Sequence, residues 1–551
     1  MKTGCWMEAK LRVCTIIDHS SCLQVTLAHL MLYFYVMTIW PDHHFRNINT
    51  DHIPILTELN LGVAIKAAKP IPNFKDVDWD KFCKMLVNFL GPGQPEEQIT
   101  SQRQLDKRCS SLMEALQNTI WEQVPVTAIT SKLKRWWTKE LMQMQKQADL
   151  SGRQSFLCRN KPEHAVHIQH KEAKKRYVNN MEYNKRQHWR DWLEKADEPD
   201  IWTANRYVTA PETDSGKARI PVLKVTVDGE EMTARTNSKK STMLAKGFFP
   251  PKPVVSLVHP NAKYPPQCQV DVRITADQLR KQLCKLKPYK APGPDGIPNI
   301  VLMKCTALLT DSLLSIYKAM FECTMMYKPW KMFTTVVLRK PGKPRYNTPK
   351  AYRPIALLNM MWKVLMVIVA DQLTFTMEKH QLLLANHFGG RPRCTTTDTM
   401  HLLANMIKAS WRVGKVTSAL FLDIEGAFPN TVPSHLEHNL CKCHIPSKII
   451  KFICKMLQGR VTTLKFDGYT SEPINIDNGI GQGDPLSMGL YQYYNADLIE
   501  VLKDLGESAM AYMDDSVMIA VADSFPEAHR KLLSMMTREG GVAISKSAKS
   551  R

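Results

Sequence analysis

Two adjacent acidic residues, Asp514 and Asp515, interrupt the apolar stretch SAMAYMDDSVMIAVA. The apolar runs on both sides predict a tight β-hairpin with the two carboxylates at its tip. Such turns favour Gly or Asn rather than two like charges, so a simple turn explains this pair poorly. A divalent cation would explain it, because the cation neutralises the carboxylates and converts their repulsion into a set of metal ligands.

A third carboxylate, Asp423, stands at the end of the strand-like run in SALFLDIEGAFPN, where it could also simply cap a turn. Downstream, the loop DNGIGQGDPLSMGLYQYYNADL contains three closely spaced glycines that would let another backbone or a ligand approach closely. In this loop Asp484 and Pro485 are predicted to be the N-cap and the first residue of a helix. A glycine-rich turn before a helix is common and identifies no function by itself.

The elements that must position these residues belong to a chain of ordinary globular composition. Its 551 residues are 44% hydrophobic and 23% charged, which is enough to build several hydrophobic cores. The formal net charge of +22 is hard to explain for an enzyme of small molecules and favours a polyanion such as nucleic acid as the partner.

The 14 cysteines lack the regular spacing of a disulfide scaffold, which indicates a reducing compartment. Cys441, Cys443, His444 and Cys454 come closest to a metal cluster, but their spacing fits no common zinc pattern. Core packing is the favoured role for these cysteines, and a zinc site is the alternative.

The uncharged segment 22–40 is long enough to span a bilayer. Its alternating polar and aromatic residues favour buried strands or a degraded remnant over a membrane helix, which stays as the alternative. A signal peptide is not predicted, since no basic leader and cleavage site are present. We therefore expect no membrane partner.

Residues 78–206 space apolar residues every three or four positions, which predicts amphipathic helices. The segment KEAKKRYVNNMEYNKRQHWR carries seven Lys or Arg and two Glu, with Lys174, Lys175 and Arg176 as its densest cluster. Either a solvated helix face or a nucleic-acid contact accounts for it. Proline then becomes dense from 248 to 267, which marks a boundary.

Three motifs occur in the order FLDIEGAFPN, NGIGQGDPLSMGLYQYYNADL and AYMDDSVMIA, and together they resemble the palm motifs of reverse transcriptases. Upstream, KPYKAPGPDGIPNIVL, TTVVLRKPGKPRYNTPKAYRPIALLNMMWKVL and QLLLANHFGGRPRCTTTDTMHLL resemble the fingers motifs of the non-LTR, LINE-like branch. An ordered series over about residues 270–545 is far more specific than any single motif. The resemblance implies an α+β right-hand polymerase with fingers and an antiparallel palm sheet.

The resemblance also implies the chemistry. An RNA-directed DNA polymerase adds deoxynucleotides to a primer 3′-hydroxyl using two Mg²⁺ ions, with Mn²⁺ as a possible substitute. Asp423 and Asp514 would bind both ions and Asp515 would have a supporting role. We expect the three to converge at adjoining strand ends of one antiparallel sheet.

Further residues of the site are implied by the same comparison. Phe428 would lie under the incoming sugar and exclude a ribose 2′-hydroxyl, although core packing after a strand is its simpler role. Gln482 and Gly483 would lie against the template and the nucleotide. Contacts to the nucleotide and its triphosphate would come from Arg353, Lys340 and Lys343, with Arg339 and Arg345 as alternatives and a solvated hairpin tip as the simpler role of the lysines. Nucleic-acid contacts would come from Tyr512 and Met513.

The implied domain organisation has four segments: a remnant of an endonuclease/exonuclease/phosphatase-like domain at 1–60, a helical basic linker region at 61–247, a proline-rich boundary at 248–269, and fingers and palm at 270–551. The remnant is an α/β fragment in which Thr50, Asp51 and His52 match the closing Ser-Asp-His signature and Gln24 replaces a usual Asp. We expect it to lack endonuclease activity. We also expect the thumb to be largely missing, so that the family resemblance is truncated at both ends.

Two functions follow as alternatives. The first is a reverse transcriptase that uses an RNA template, a DNA primer or target, and deoxynucleotides, located in the nucleus or the cytoplasm. The second is a catalytically incompetent retroelement protein that only binds nucleic acid. An RNA-templated RNA polymerase or a telomerase shares the palm chemistry, but Phe428 and the APGPDG stretch favour the LINE-like branch.

Overall fold

The structure is a computed structural model that describes residues 71–91, 98–127, 136–194, 219–227, 230–254, 258–383, 385–500, 502 and 504–538, together with the backbone of three strands before residue 61. The chain divides into two compact units. The first consists of Met1–Asn73 and Pro125–Thr213, and the second of Phe74–Val124 and Asp214–Arg551.

The α-helices of the described ranges are α1 (Trp79–Leu90), α2 (Gln102–Gln123), α3 (Lys139–Leu157), α4 (Ala165–Glu194), α5 (Asn237–Phe248), α6 (Ala276–Cys284), α7 (Asn299–Lys304), α8 (Thr306–Glu322), α9 (Met360–His380), α10 (Thr396–Arg412), α11 (Pro433–Lys442), α12 (Ser447–Leu457), α13 (Ser487–Tyr494), α14 (Ala496–Ile499) and α15 (Phe525–Thr537). Short 3-10 helices span Lys328–Lys331 and Pro349–Ala351.

The strands of the same ranges are β1 (Lys10–Thr15), β2 (Val36–Pro41), β3 (Ile55–Asn60), β4 (Ile71–Pro72), β5 (Val126–Thr127), β6 (Leu223–Val227), β7 (Glu230–Ala234), β8 (Met332–Arg339), β9 (Tyr352–Leu357), β10 (Val416–Asp423), β11 (Arg460–Phe466), β12 (Tyr469–Thr470), β13 (Ile474–Ile476), β14 (Glu507–Tyr512) and β15 (Asp515–Ala522).

The first unit combines a small sheet with a long helical hairpin. Strands β1, β3 and β2 pair antiparallel in that order. Helix α3 is capped by Thr138, whose side chain accepts from the Leu141 backbone N–H at 3.2 Å, and α3 packs along α4. Part of the segment 22–40 forms β2, and Gln24, Thr50, Asp51 and His52 lie outside the described residues.

The predicted linker region 61–247 is divided differently in the structure. Helices α1 and α2 belong to the second unit because their apolar faces enter its main core: Phe82, Leu86, Leu105 and Leu116 are fully buried there. The hairpin β6–β7 and helix α5 also belong to the second unit. Sequence periodicity predicted helices but could not show which core each apolar face would join.

Helix α9 lies at the centre of the main core. It is the one helix in the described part of the chain that is long and apolar enough to cross a membrane by length and composition. In its most apolar window 67% of the residues are buried inside the protein, including Met361, Leu365 and Val369, as expected of a central core helix.

Two sheets frame the rest of the second unit. In the larger sheet β12, β11, β8 and β9 are neighbours in that order, and β8 and β11 run parallel. The smaller sheet is antiparallel with the order β10, β15, β14. Leu498 and Met535 pack against Met518 on one side of β15, and Leu403 packs against Val517 on the other. Because both sides of β15 are packed, the positions of its ends are fixed.

Candidate functional site

The antiparallel pairing of β10 with β15 brings the three acidic residues to one edge of the smaller sheet. Asp423, the last residue of β10, pairs with Asp515, the first residue of β15. Paired residues in an antiparallel sheet have Cα atoms about 4.5 to 5.5 Å apart. Asp514 precedes Asp515 in the turn that joins β14 to β15. Asp423 and Asp515, 92 positions apart in sequence, are therefore neighbours in the fold.

The hairpin differs slightly from the sequence prediction. Its two turn residues are Met513 and Asp514, while Asp515 already belongs to β15 and faces Tyr512. Met513 has φ of 60°, in the left-handed region that bulky side chains rarely adopt. A strained turn of this kind persists only when its surroundings hold it.

The electrostatics of the cluster show how close the carboxylates are. Burial, followed by the negative charges of Asp514 and Asp423, raises the pKa of Asp515. All three side chains are exposed to solvent, so a hydrated ion can reach them. Carboxylate oxygens are the donors that Mg²⁺ and Mn²⁺ prefer, and the donor set therefore fits such an ion.

The carboxylates are close but not yet converged on one point. Within the described residues no group of three or more His, Cys, Asp or Glu side chains is arranged to hold a metal ion. Ionised carboxylates that lie close together repel one another, and a divalent cation between them would compensate that repulsion.

A segment that the sequence analysis quoted only as part of a fingers motif supports the hairpin from its other edge. The Phe388 N–H donates to the Ala511 carbonyl at 2.9 Å, and the Ala511 N–H donates to the Asn386 carbonyl at 3.0 Å. These two bonds hold the strand that leads into the acidic turn. The signal in the sequence was the pair of glycines in the quoted HFGG stretch.

Gly389 of that segment lies directly against the acidic turn. A Cβ at this position would be 2.8 Å from the Met513 Cγ and 2.9 Å from the Tyr512 carbonyl carbon, and nearer still to the Met513 nitrogen. The Gly389 carbonyl also accepts a hydrogen bond from Gln492, whose side chain is 3% exposed. Only glycine lets the two chain segments approach this closely.

An open cleft of about 2140 Å³ lies beside the acidic edge. It exceeds the roughly 300 to 1,000 Å³ of ordinary small-molecule pockets, so it can hold a polymer. The cleft brings together most of the residues predicted for the site, namely Asp423, Asp514, Phe428, Gln482, Arg353, Lys340, Lys343 and Met513. Three predicted residues, Asp515, Gly483 and Tyr512, are not in its lining.

Phe428 is held by an aromatic neighbour. Its ring meets that of Tyr491 edge-on, with centroids 5.4 Å apart. Phe428 is half-buried and packs against the main core while also lining the cleft, so its packing role and its position in the site coexist. Tyr491 is 1% exposed and its hydroxyl has no hydrogen-bond partner among the described residues. Burial, followed by the charge of Asp514, raises the pKa of that hydroxyl well above its usual range.

The glycine-rich loop is anchored to β9. The Gln482 carbonyl accepts from the Ala356 N–H at 2.9 Å. Gly483 has φ of 107°, and a Cβ there would be 3.0 Å from the Ala356 carbonyl oxygen. The close approach that this glycine permits is therefore to the protein's own strand, which the sequence comparison did not reveal.

The predicted helix start in this loop is wrong by two residues. Helix α13 begins at Ser487 with Leu486 as the N-cap, rather than at Pro485 after Asp484. Asp484 instead accepts a hydrogen bond from the Leu486 N–H at 2.9 Å, and burial raises the pKa of its carboxyl group to about 6. The carboxylate closes a turn before the helix, a local alternative that Asp favours.

A buried arginine supports the same loop. Arg460 donates to the Gly479 carbonyl at 2.7 Å and to the Leu457 carbonyl at 3.0 Å. Burial lowers the pKa of its guanidinium to about 10, and the charge of Asp484 acts in the opposite direction. The sequence analysis missed Arg460 because the residues around it in the sequence do not indicate that its side chain is buried.

One wall of the cleft is basic. Burial, followed by the charges of Lys343 and Arg353, lowers the pKa of Lys340, so these three cations are close together. Lys350 pairs with Glu425 at 2.6 Å. Arg339, an alternative triphosphate contact, donates to the Arg219 carbonyl at 2.8 Å and lies over the Tyr346 ring, which indicates a structural role.

The basic helix segment belongs to the other unit. Lys174, Lys175 and Arg176 are exposed on α4 of the first unit, where Trp189 and Trp192 also stack with ring centroids 5.0 Å apart. Both a solvated face and a nucleic-acid contact are compatible with this exposure.

The cysteine group near residue 441 is packed rather than arranged around a metal. Burial raises the pKa of the Cys443 thiol and that of the Cys454 thiol each to about 12, which disfavours the thiolates that zinc requires. His444 Nδ1 lies 2.8 Å from the Pro266 carbonyl oxygen. The core role is therefore favoured for this part of the described chain.

Comparison with known families identifies the segment that carries this site. Residues 338–547 match the family model described as reverse transcriptase (RNA-dependent DNA polymerase). These residues form a reverse transcriptase domain. The match includes the acidic hairpin, Asp423, Phe428, the glycine-rich loop and β9, but not the elements before residue 338.

This reverse transcriptase domain is homologous to RNA-directed DNA polymerases of non-LTR retrotransposons. It is similar to the probable RNA-directed DNA polymerase from transposon BS of Drosophila melanogaster, with 26% identity over 48% of this chain and 30% of the relative. The RNA-directed DNA polymerase from mobile element jockey of Drosophila funebris is 26% identical over 41% of this chain and 24% of the relative.

A longer match extends upstream of the domain. The Pol polyprotein from the type-1 retrotransposable element R1 of Bradysia coprophila is 23% identical over 69% of this chain and 38% of the relative. The chain thus spans well under half the length of these curated relatives. Among solved structures, an apo telomerase from Candida tropicalis truncated from its C-terminal domain is 10% identical, with a TM-score of 0.30, over 38% of this chain and 47% of that one.

Proposed function

We propose that the chain is an RNA-directed DNA polymerase of a non-LTR retrotransposon, which adds deoxynucleotides to the 3′-hydroxyl of a DNA primer on an RNA template. The observation that carries the proposal is the β10–β15 register, which sets Asp423 beside Asp515 and the Asp514 turn at the edge of a cleft large enough for a polymer. The net charge of +22 supports a nucleic-acid partner.

In this proposal the second unit is a right-hand polymerase. The sheet of β10, β15 and β14 is its palm, and the elements from about residue 270 to α10 are its fingers. The first strands of the first unit belong to an endonuclease-like domain. The protein works inside the cell, in the nucleus or the cytoplasm, where its thiols stay reduced.

The acidic residues would hold two Mg²⁺ ions, or Mn²⁺ in their place. Two such ions, when bound about 4 Å apart, stabilise the charge on the attacking and leaving oxygens of an in-line displacement. Asp423 and Asp514 line the cleft and would bind the ions, while Asp515, the first residue of β15, would have a supporting role. The pKa of Asp515 is raised by its neighbours, and a bound cation removes that repulsion.

The remaining residues bind and orient the substrate. Phe428, in contact with Tyr491, lines the cleft and excludes a nucleotide that carries a 2′-hydroxyl. Arg353, Lys340 and Lys343 form a cluster of positive charge that binds the triphosphate. Gln482 lines the cleft while its backbone holds β9, so it can contact the nucleotide and template without moving.

Contacts to the nucleic acid outside the cleft are also part of the proposal. Tyr512 and Met513 flank the acidic turn and contact the primer end. Lys174, Lys175 and Arg176 are exposed on a helix with accessible aromatic rings, a combination typical of single-strand binding.

Primer extension tests the proposed function. The assay uses poly(rA) with oligo(dT), dTTP and Mg²⁺, and compares the wild type with an Asp514→Asn, Asp515→Asn double variant. The control is Asp523→Asn, which changes an acid that is 81% exposed, after β15 has ended. We expect extension by the wild type and the control and none by the double variant. Equal, negligible signals from all three proteins would instead support a protein that only binds nucleic acid.

A further inference from the structure

One wall of the cleft is built by elements that precede the matched domain. Leu223 of β6, Ala234 of β7, and Leu244 and Phe248 of α5 pack against Tyr352 of β9 in a separate small core. A Cβ at Gly247 would touch Pro349 at 3.0 Å, so the end of α5 lies directly on the 3-10 helix before β9. This wall is therefore a fixed part of the second unit.

Helix α5 has one buried face and one face on the cleft. Lys240 is 8% exposed and its ammonium donates to the Ile220 carbonyl at 2.6 Å, which anchors the buried face together with Leu244. Lys239 and Lys246, seven residues apart, are exposed and line the cleft. Two helical turns separate them, so they stand on the same side of the helix about 10.5 Å apart along its axis.

The charge of the cleft is strongly asymmetric. Its lining contains seven basic residues and three acidic ones, of which two are the proposed metal ligands Asp423 and Asp514. Glu425, the third acid, pairs with Lys350. Lys224 pairs with Glu231 at 2.7 Å, whereas Lys239 and Lys246 form no ion pair within the described part of the chain. The two α5 lysines thus offer uncompensated positive charge to a ligand in the cleft.

We propose that Lys239 and Lys246 bind the phosphate backbone of a single nucleic-acid strand that continues along the cleft from the acidic edge. This proposal rests on the proposed function. The two cations stand about 10.5 Å apart in a single row along one side of the helix, and one row matches one phosphate chain. The proposed triphosphate contacts Lys340, Lys343 and Arg353 lie on β9 and in the loop before it. The α5 lysines therefore extend the basic surface of the cleft beyond the binding site of one nucleotide.

The test uses a Lys239→Gln, Lys246→Gln double variant. Glutamine removes the charge, keeps a polar side chain only one atom shorter than lysine and has a similar helix propensity, and both positions are exposed, so the fold is retained. The matched control is Lys448→Gln, Lys451→Gln, which removes two exposed lysines of α12 that do not line the cleft. Thermal unfolding of all three proteins checks that none is destabilised.

The readout is the affinity for a primer–template duplex with a six-nucleotide single-stranded template overhang, measured by fluorescence anisotropy without nucleotide at 0.05 to 0.3 M salt. A blunt duplex of the same length is the ligand control. Each lost contact to a single strand reduces the salt slope by about 0.7 and the affinity about fivefold at 0.1 M salt. We expect a slope change of about 1.4 and a loss of roughly 25-fold for the overhang substrate only.

Three outcomes would overturn the proposal. These are an unchanged slope with the overhang substrate, an equal loss with the blunt duplex, and a raised KM for dTTP with unchanged binding, which would assign the lysines to the nucleotide triphosphate. Because the first two outcomes are measured as binding without catalysis, they are distinct from a failure of the proposed polymerase, which appears only in primer extension.

Discussion

Replacing Gly389 with alanine should strongly reduce the rate of nucleotide addition while it lowers the free energy of unfolding only moderately. The added Cβ would lie 2.8 Å from the Met513 Cγ and 2.9 Å from the Tyr512 carbonyl carbon, and closer still to the Met513 nitrogen. Ordinary van der Waals contacts are 3.4 to 4 Å. The turn that carries Asp514 must therefore move by about 0.5 to 1 Å.

A displacement of this size has a known scale of consequence. Misplacing a catalytic group by about 1 Å costs on the order of 100-fold in rate, whereas overpacking by one methyl group costs about 1 to 3 kcal/mol of stability. We expect kcat for primer extension to fall about 100-fold. The KM for the nucleotide should change little, because the basic cluster at Lys340 is not touched.

The assay is steady-state extension of oligo(dT) on poly(rA), with circular dichroism and thermal unfolding to verify the fold. The control is Gly414→Ala, which has φ of 70° and no atom within 4 Å of its added Cβ. That variant is strained by about 1 to 2 kcal/mol but leaves the hairpin alone, so its kcat should match the wild type. A folded Gly389→Ala protein with a kcat within threefold of the wild type would refute the role given to this contact.

Three further outcomes are expected. Replacing Phe428 with valine removes the ring edge beside Tyr491, and the preference for dTTP over UTP in kcat/KM should fall by roughly 10- to 100-fold. Gly483→Ala should lower the free energy of unfolding by about 1 to 3 kcal/mol in urea titrations, because its φ of 107° and the Ala356 carbonyl at 3.0 Å both disfavour a Cβ. Since the folded-state pKa of Asp484 is raised to about 6, the folded protein binds more protons than the unfolded chain between pH 4 and 6. The free energy of unfolding should therefore fall by up to about 3 kcal/mol as pH rises through this window, and Asp484→Asn should flatten that dependence.

The sequence predicted the acidic edge because its chemistry is local and unusual. Two like charges inside an apolar hairpin, and a third at a strand end, leave few structural explanations. Strand pairing then brings the three acids together. Once β10 and β15 are neighbours, the alternation of their side chains between the two faces and the packing of both faces fix the register that pairs Asp423 with Asp515.

The supports of that edge could not be predicted because they depend on contacts between distant segments. Position 389 must be glycine because the Met513 backbone leaves no space for a Cβ, and position 483 because the Ala356 backbone lies close to it. The residues next to each glycine in the sequence do not indicate these contacts. Arg460 is identified as a loop anchor only when its burial is known.

The assignment of elements to units shows the same limit. Helices α1, α2 and α5 were predicted as part of a helical linker, yet their apolar faces complete the cores of the second unit. Amphipathic periodicity identifies the face that is buried but not the partner that buries it.

Divalent-cation binding tests the central claim most directly. We would titrate Mn²⁺ into the complex with primer, template and a non-hydrolysable dTTP analogue, and count bound ions by electron paramagnetic resonance. The wild type should bind two ions with coupled spectra, and both Asp423→Asn and Asp514→Asn should lose at least one ion and the coupling. If the two variants bind the same number of ions with the same affinity as the wild type, the three aspartates do not form the metal site and the account is contradicted.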